Sequence, residues 1–420
     1  MSELPAAAPL HADRDFRVVL VGQGVSAIGD AVSFTALPLL VLFLTGSGLA
    51  MGIVGILSVL PDLLVGLLAG ALADRWDRRR LMLAADLGRG LLTAAIPLAH
   101  FAGLDTMTVI IVVTAPINVL RVLFMAAYTA YVPMLVGRER ITAATSYVEV
   151  VGSVGFMLGP GIAGILSGTI GPAPTLLIDA ASFLVSSVSL LFVRRRSQPS
   201  QARPGEHLGH EIAVGIRFLA GHRVLRPVLL FWALSGILAA PLIAAVTYYV
   251  TRDRGLPTSD FGLVISGFSV GNMVGAVISA RILRGALGRL MVGGEVLFGL
   301  VVVTLGMGLP VPVMSVLAFV GGAAGAVVAV AYITIRAAVT PNELLGRVGS
   351  TARTLSVGLQ PLGLLAGGLV LDVAGGAVLL VAMGVLLMVK SLAFGLSPAF
   401  MGARALPHAG ATSGGADPGT

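Results

Sequence analysis

Residues 70–80 read Gly70-Ala71-Leu72-Ala73-Asp74-Arg75-Trp76-Asp77-Arg78-Arg79-Arg80, six charges in seven positions set between two long apolar runs. Upstream, residues 49–73 contain one charge, Asp62; downstream, residues 81–101 contain two, Asp86 and Arg89. A soluble domain carries about a quarter charged residues. This chain of 420 residues carries 11%, against 56% hydrophobic. Such a chain is built for lipid, and the charge burst is expected to be a turn in water between two membrane-spanning helices.

An apolar helix of about 20 residues crosses roughly 30 Å of hydrocarbon. Only helices and closed barrels satisfy their backbone groups there, and barrel strands would alternate over about 10 residues. The apolar runs here are continuous. The expectation is an all-α membrane protein with twelve spans: 18–44, 49–73, 81–101, 107–134, 146–170, 175–193, 228–250, 261–283, 290–309, 311–338, 348–371 and 376–394.

With twelve spans counted, Arg14, Arg17, the 75–80 cluster, Arg138, Arg140, the 194–226 group, Arg281, Arg284, Arg347 and Arg404 fall on one side. Arg252 and Arg254 fall on the other. By the positive-inside rule both termini are expected in the cytoplasm of a multi-pass protein of the cell membrane. The net charge of +7 is thus a topology signal with some affinity for anionic lipid headgroups, not a nucleic-acid footprint. Cysteine is absent, so disulfides and thiol metal sites are excluded. The run at 18–44 is too long for a signal-peptide core.

The longest polar stretch, 194–226, reads as a cytoplasmic linker containing a surface helix at about 210–219. It separates two six-helix bundles, 17–193 and 227–396, flanked by a cytoplasmic tail at 1–16 and a disordered tail at 397–420. An offset of 210 residues places Gly52 over Gly262, Asp74 over Arg284 and Arg79 over Arg289, which suits an internal duplication. Two six-helix halves around a midplane site is an architecture that transporters use.

The 70–80 loop resembles the loop between helices 2 and 3 of the major facilitator superfamily: a Gly, then Asp-Arg, then a basic cluster. Asp77 stands where the commonest form has Gly, as in the branch of proton-coupled drug and siderophore exporters of the enterobactin-exporter and macrolide-efflux type. Gly155-Phe156-Met157-Leu158-Gly159-Pro160-Gly161-Ile162-Ala163-Gly164 is similar to the helix-5 motif of proton-antiporting exporters, with Ala163 in place of one Gly and Ser146 in place of an earlier one. Ser26, Gly29 and Asp30, then Ala36-Leu37-Pro38 and Thr45-Gly46-Ser47, resemble helix 1 of the same branch. The resemblance covers 17–396. It implies a major facilitator fold and alternating access. Gly70, Asp74, Arg75, Asp77, Arg78, Arg79 and Arg80 would form a conformational gate. Gly155, Gly159, Pro160, Gly161 and Gly164 would form a close-packed, bent export element.

Asp74 is suited to cap the positive N-terminus of a helix from the other half. Charges well inside a span are costly and face a cavity or a partner. Asp30, Asp62 and Arg121 lie near mid-span, and a carboxylate whose hydration changes as a cavity opens can exchange a proton. They are the expected coupling residues, with Arg121 as the partner of both acids. Asp86, Arg89 and Glu149 are expected in a charge network at the cytoplasmic end. Glu149 and Glu295 are possible secondary acidic sites, Glu295 without an evident partner. Asp179 is expected to snorkel outward, and Lys390 to anchor at the interface.

No enzyme signature is present. Gly24–Gly29 lies in an apolar helix and is no nucleophile elbow; a phosphate-binding Gly-Lys-Ser/Thr loop is absent. The six histidines lack metal spacing. The expectation is therefore a monomeric secondary transporter with no cofactor. It would export small amphipathic or hydrophobic compounds in exchange for protons, energised by the proton gradient. An uptake symporter or lysolipid transporter on the same fold is the alternative. A non-transporting scaffold or receptor is the alternative of another class.

Overall fold

The computed structural model describes residue 10, residues 13–194, residue 217 and residues 221–283, 285–341 and 344–402. The 70–80 stretch folds as read: α2 (Gly48–Arg75) ends and α3 (Arg78–Phe101) begins with only Trp76 and Asp77 between them. Asp77 is the N-cap of α3, its carboxylate accepting from the Arg80 N–H at 2.9 Å. A carboxylate there satisfies an orphan donor at the positive end of the helix.

The remaining helices are α1 (Arg14–Thr45), α4 (Thr106–Val136), α5 (Ile141–Thr169), α6 (Pro172–Leu191), α7 (Leu225–Asp253), α8 (Thr258–Ile282), α9 (Leu287–Leu305), α10 (Val311–Val339), α11 (345–374) and α12 (376–395). No strand occurs among the described residues. Eleven segments are long and apolar enough to cross a membrane, the last being the 48 residues Val348–Gly395. At 1.5 Å per residue that run would reach about 70 Å, twice the hydrocarbon core. It reverses at Gly375, whose φ of 80° is the left-handed region that glycine enters freely. The run is therefore α11 and α12, and the described residues make twelve crossings.

Caps set the other ends. Asp13 receives the Asp15 and Phe16 N–H groups at the start of α1. Asp105 does the same for α4, and the Thr108 hydroxyl and N–H hold its carboxyl below the usual carboxylate range. Two expectations on the tails need correction. Helix α1 already starts at Arg14, with Phe16 buried. Residues Pro398–Met401 form a further helical turn in which Phe400 is fully buried, its ring 5.0 Å from Phe231 and 5.5 Å from Phe394. An aromatic ring in a Gly-Ala-Pro segment was enough to dock it. The 195–216 part of the linker, the expected surface helix apart from Arg217, and the tail beyond 402 lie outside the described residues.

Helices α1–α6 pack as one half and α7–α12 as the other, α1 against α5 and α6, α3 against α4 and α6, α8 against α10, and α9 against α12. The halves meet along two seams, α5 with α8 and α2 with α11. Both seams are backbone-to-backbone approaches through glycine. A Cβ on Gly262 would stand 2.7 Å from the Pro160 carbonyl and 2.8 Å from Gly164 Cα; one on Gly52 would stand 2.6 Å from the Leu364 carbonyl. Gly52 and Gly262 are the pair matched by the 210-residue offset, so equivalent helices make equivalent seams.

The apolar cores have a different arrangement at the two ends. Away from the 70–80 loop, a single core runs through both halves, from Leu40 and Val41 to Val246, Phe261 and Leu371. At the arginine-rich end the cores are separate, one in the first half around Phe16, Tyr131 and Leu190, and two in the second half, around Phe231, Met291 and Phe400 and around Leu225, Leu229 and Val348. The molecule is sealed at one end and split at the other.

Candidate functional site

Between the halves lies a cavity of about 1220 Å³. Its apolar wall includes Phe34, Leu37, Ile96, Ile117 and Phe156, and it runs past Leu20, Gly66, Thr129, Val148 and Gly349 at the arginine-rich ends of their helices. Charged side chains line it in two groups. A second cavity of about 920 Å³ sits at the sealed end, beside Phe43, Phe101, Arg252 and Thr258.

The first group joins α1, α3 and α6. The Arg89 guanidinium pairs with Asp30, lies 3.6 Å from Asp86 and stacks 4.0 Å from the centre of the Phe183 ring. Asp86 is fully buried and accepts from the Ser186 hydroxyl at 2.6 Å. Asp179, 3% exposed, accepts from the Ser182 hydroxyl at 3.2 Å. Gly29 lets α1 approach this wall: a Cβ there would collide with Ser182 and stand 2.7 Å from an Asp179 carboxylate oxygen.

The second group joins α2, α4 and α11. Asp62 pairs with Arg121 and receives Arg353 at 3.3 Å, which makes Arg353 an ion-pair partner across the two halves. Asn118 orients Arg121 through an N–H···O bond of 3.1 Å.

The expected coupling residues Asp30, Asp62 and Arg121 therefore all line one cavity, but Arg121 pairs with Asp62, and Arg89 is the partner of Asp30. Arg89 belongs to the cavity wall, with Asp86 buried behind it, rather than to a charge network at the helix ends, and Asp179 is buried rather than snorkelling. Sequence reading assigned partners by depth along each helix, and depth says nothing about which helices are neighbours. Arg353 was missed, although a lone arginine inside the apolar 348–371 run carries the same signal as Arg121.

Glu295 has a partner after all. Lys390 donates to it at 2.8 Å, Ser235 at 3.0 Å, and the ammonium lies 3.6 Å from the Phe231 ring centre. This pair is buried inside the second half, so Lys390 is no interface anchor. Glu149 is exposed on α5.

In the 70–80 loop, Arg79 donates to the Leu190 and Leu191 carbonyls at 2.7 and 2.9 Å, tying down the C-terminus of α6. Arg78 is buried beside Met134, whereas Arg75 and Arg80 are exposed. The surroundings of Gly70 and of the Asp74 side chain lie outside the described residues. On α5, Gly155 and Gly159 rest on Ala27 and Ala31 of α1, while Pro160, Gly161 and Gly164 face α8. At the sealed end Asp372 of α11 accepts from Ser47 Oγ at 2.8 Å and from the Gly48 and Leu49 N–H groups at 2.5 and 3.0 Å. A carboxylate from one half thus caps a helix of the other, and Arg252 binds the adjacent Gly46 carbonyl.

The chain is similar to known transporters along its length. It is 29% identical to the multidrug efflux pump Tap of Mycolicibacterium fortuitum over 367 residues, covering 85% of this chain and 89% of the relative. It is 25% identical to the enterobactin exporter EntS of Shigella boydii over 362 residues, 84% and 85% of the two chains. Among solved structures, the nucleoside transporter NupG superposes with a TM-score of 0.75 at 13% identity, over 90% of this chain and 98% of the other. A bacterial homologue of the lysosomal transporter Spinster in an inward-facing conformation superposes with a TM-score of 0.71 at 13% identity, over 95% and 98%. At those identities the likeness is one of fold. The transmembrane secretion effector family matches residues 5–403, and the chain belongs to that family: it is a major facilitator transporter of small molecules, not an enzyme.

Proposed function

We propose that the protein exports small amphipathic or hydrophobic compounds across the cell membrane in exchange for protons. The observation that carries this reading is the central cavity, apolar over most of its wall, with ionised groups from both halves meeting inside it. The efflux names of its relatives support the direction of transport. The arginine-rich end is assigned to the cytoplasm by the positive-inside rule, with both termini there. The open cavity then receives compounds from the cytoplasm or inner leaflet. Rocking of the halves would seal the split end and part the seams at the other, presenting the cavity outside. The protein acts as a monomer and needs no cofactor beyond the proton gradient.

Asp30 and Asp62 are the coupling carboxylates in this reading, each held by an arginine whose grip changes as the cavity opens or closes. The test is accumulation of a lipophilic fluorescent dye in efflux-deficient bacteria expressing the chain, with and without a protonophore. Lower accumulation, restored by the protonophore, is expected; Asp30→Asn is expected to abolish that effect with the protein still in the membrane. Accumulation unchanged by expression, or raised by it, overturns export of such compounds.

A further inference from the structure

Three carboxylates and one guanidinium share the pocket between α1, α3 and α6. Helices α1, α3 and α5 pack against α6. The ionisable groups they bring to the pocket are Asp30, Asp86 and Arg89, while Glu149 of α5 is exposed. With all three acids ionised the cluster would carry two uncompensated negative charges behind an apolar wall. Uncompensated charge in such a site is avoided by neutralisation, so the cluster holds at least one proton.

The three acids are not equivalent. Asp30 is directly bonded to Arg89, and its side chain is 45% exposed, lining the cavity. Asp86 has no face on the cavity and is fixed by Ser186 and the i,i+3 arginine of its own helix. Asp179 lines the cavity, has no ion-pair partner among the described residues, and receives a hydroxyl that also serves its own helix backbone. It also stands against Gly29, next to Asp30 in the chain.

We propose that Asp179 is a proton-binding site of the transporter, with Arg89 as the shared counter-charge that links it to Asp30. This deepens the reading of the central cavity as the site of proton exchange. In the state described, the Asp179 carboxyl holds the proton. Breaking its O–H bond passes the proton to cavity water and leaves two anions, Asp30 and Asp179, at one wall. A cationic compound entering the cavity compensates them, so proton and cation exclude each other.

The test is infrared absorption of the purified protein in lipid discs, read for a protonated carboxyl at neutral pH and followed through a pH titration. The same variants are measured for efflux. Wild type is expected to show the protonated-carboxyl band, and Asp179→Asn to lose it along with protonophore-sensitive efflux. Asp179→Glu keeps a titratable group, so it is expected to restore a band and efflux with a displaced pH profile; this also shows that the pocket tolerates substitution. A band that persists in Asp179→Asn, or protonophore-sensitive efflux that survives it, overturns the proposal. Wild-type efflux indifferent to protonophore, with the band still lost in Asp179→Asn, would refute proton exchange as the driving force while leaving the proton site in place.

Discussion

A single buried pair illustrates what one residue can cost. Lys390 and Glu295 have side chains 8% and 4% exposed and bond to each other at 2.8 Å. Removing one partner of such a pair strands a charge, at a cost of about 3–5 kcal/mol, whereas replacing both by apolar groups of similar volume is near neutral. Lys390→Met is therefore expected to lower the unfolding midpoint of the purified protein sharply, and Glu295→Leu added to it to recover most of the loss. A double variant as unstable as the single one would show that the lysine acts through its stack on Phe231, not through charge. The types and depths of these residues were legible in sequence, because a charge inside an apolar run stands out. Their partners were not: Glu295 and Lys390 are 95 positions apart, and only the packing of α9 against α12 brings them together.

At the scale of the helix, apolar length was enough to place the spans, and caps fix their ends in the structure. Asp13, Asp77 and Asp105 each cap a helix at the boundary where the apolar run begins, and Gly375 turns the chain inside the break expected at 372–376. What composition could not show is which glycines serve contact. Gly262 and Gly164 meet across the α5–α8 seam, while nothing lies within 4 Å of a Cβ added at Gly152 of the same α5. A side chain in a closed seam forces the backbones apart, an overpacking cost of about 1–3 kcal/mol. Gly262→Val is expected to lower both thermal stability and efflux, and Gly152→Ala to leave both within error. Equal effects of the two would mean that the seam yields without cost.

For the whole molecule, what matters is the asymmetry between its ends. One core joins the halves at the sealed end, separate cores stand apart at the other, and the 210-residue repeat visible in sequence reappears as the paired seams at Gly52 and Gly262. Sequence could announce two alike halves but not which end is sealed, since neither composition nor the internal repeat says at which end the halves close. At the sealed end Asp372 performs the function expected of Asp74 at the opposite one: it caps a helix of the other half and so links the halves there. Losing an N-cap carboxylate costs about 1 kcal/mol, which changes a two-state population about fivefold. Asp372→Ala is therefore expected to shift the protein toward closure of the arginine-rich end. The chain has no cysteine, so spin labels can be placed cleanly at Glu139→Cys and Leu345→Cys, both exposed at that end and one on each half. Asp372→Ala should raise the short-distance fraction between the labels in lipid discs severalfold, and restoring a carboxylate with Asp372→Glu should reverse much of the change. An unchanged distance distribution would mean that the glycine seams alone hold the sealed end, and that Asp372 serves α2 without biasing the conformational equilibrium.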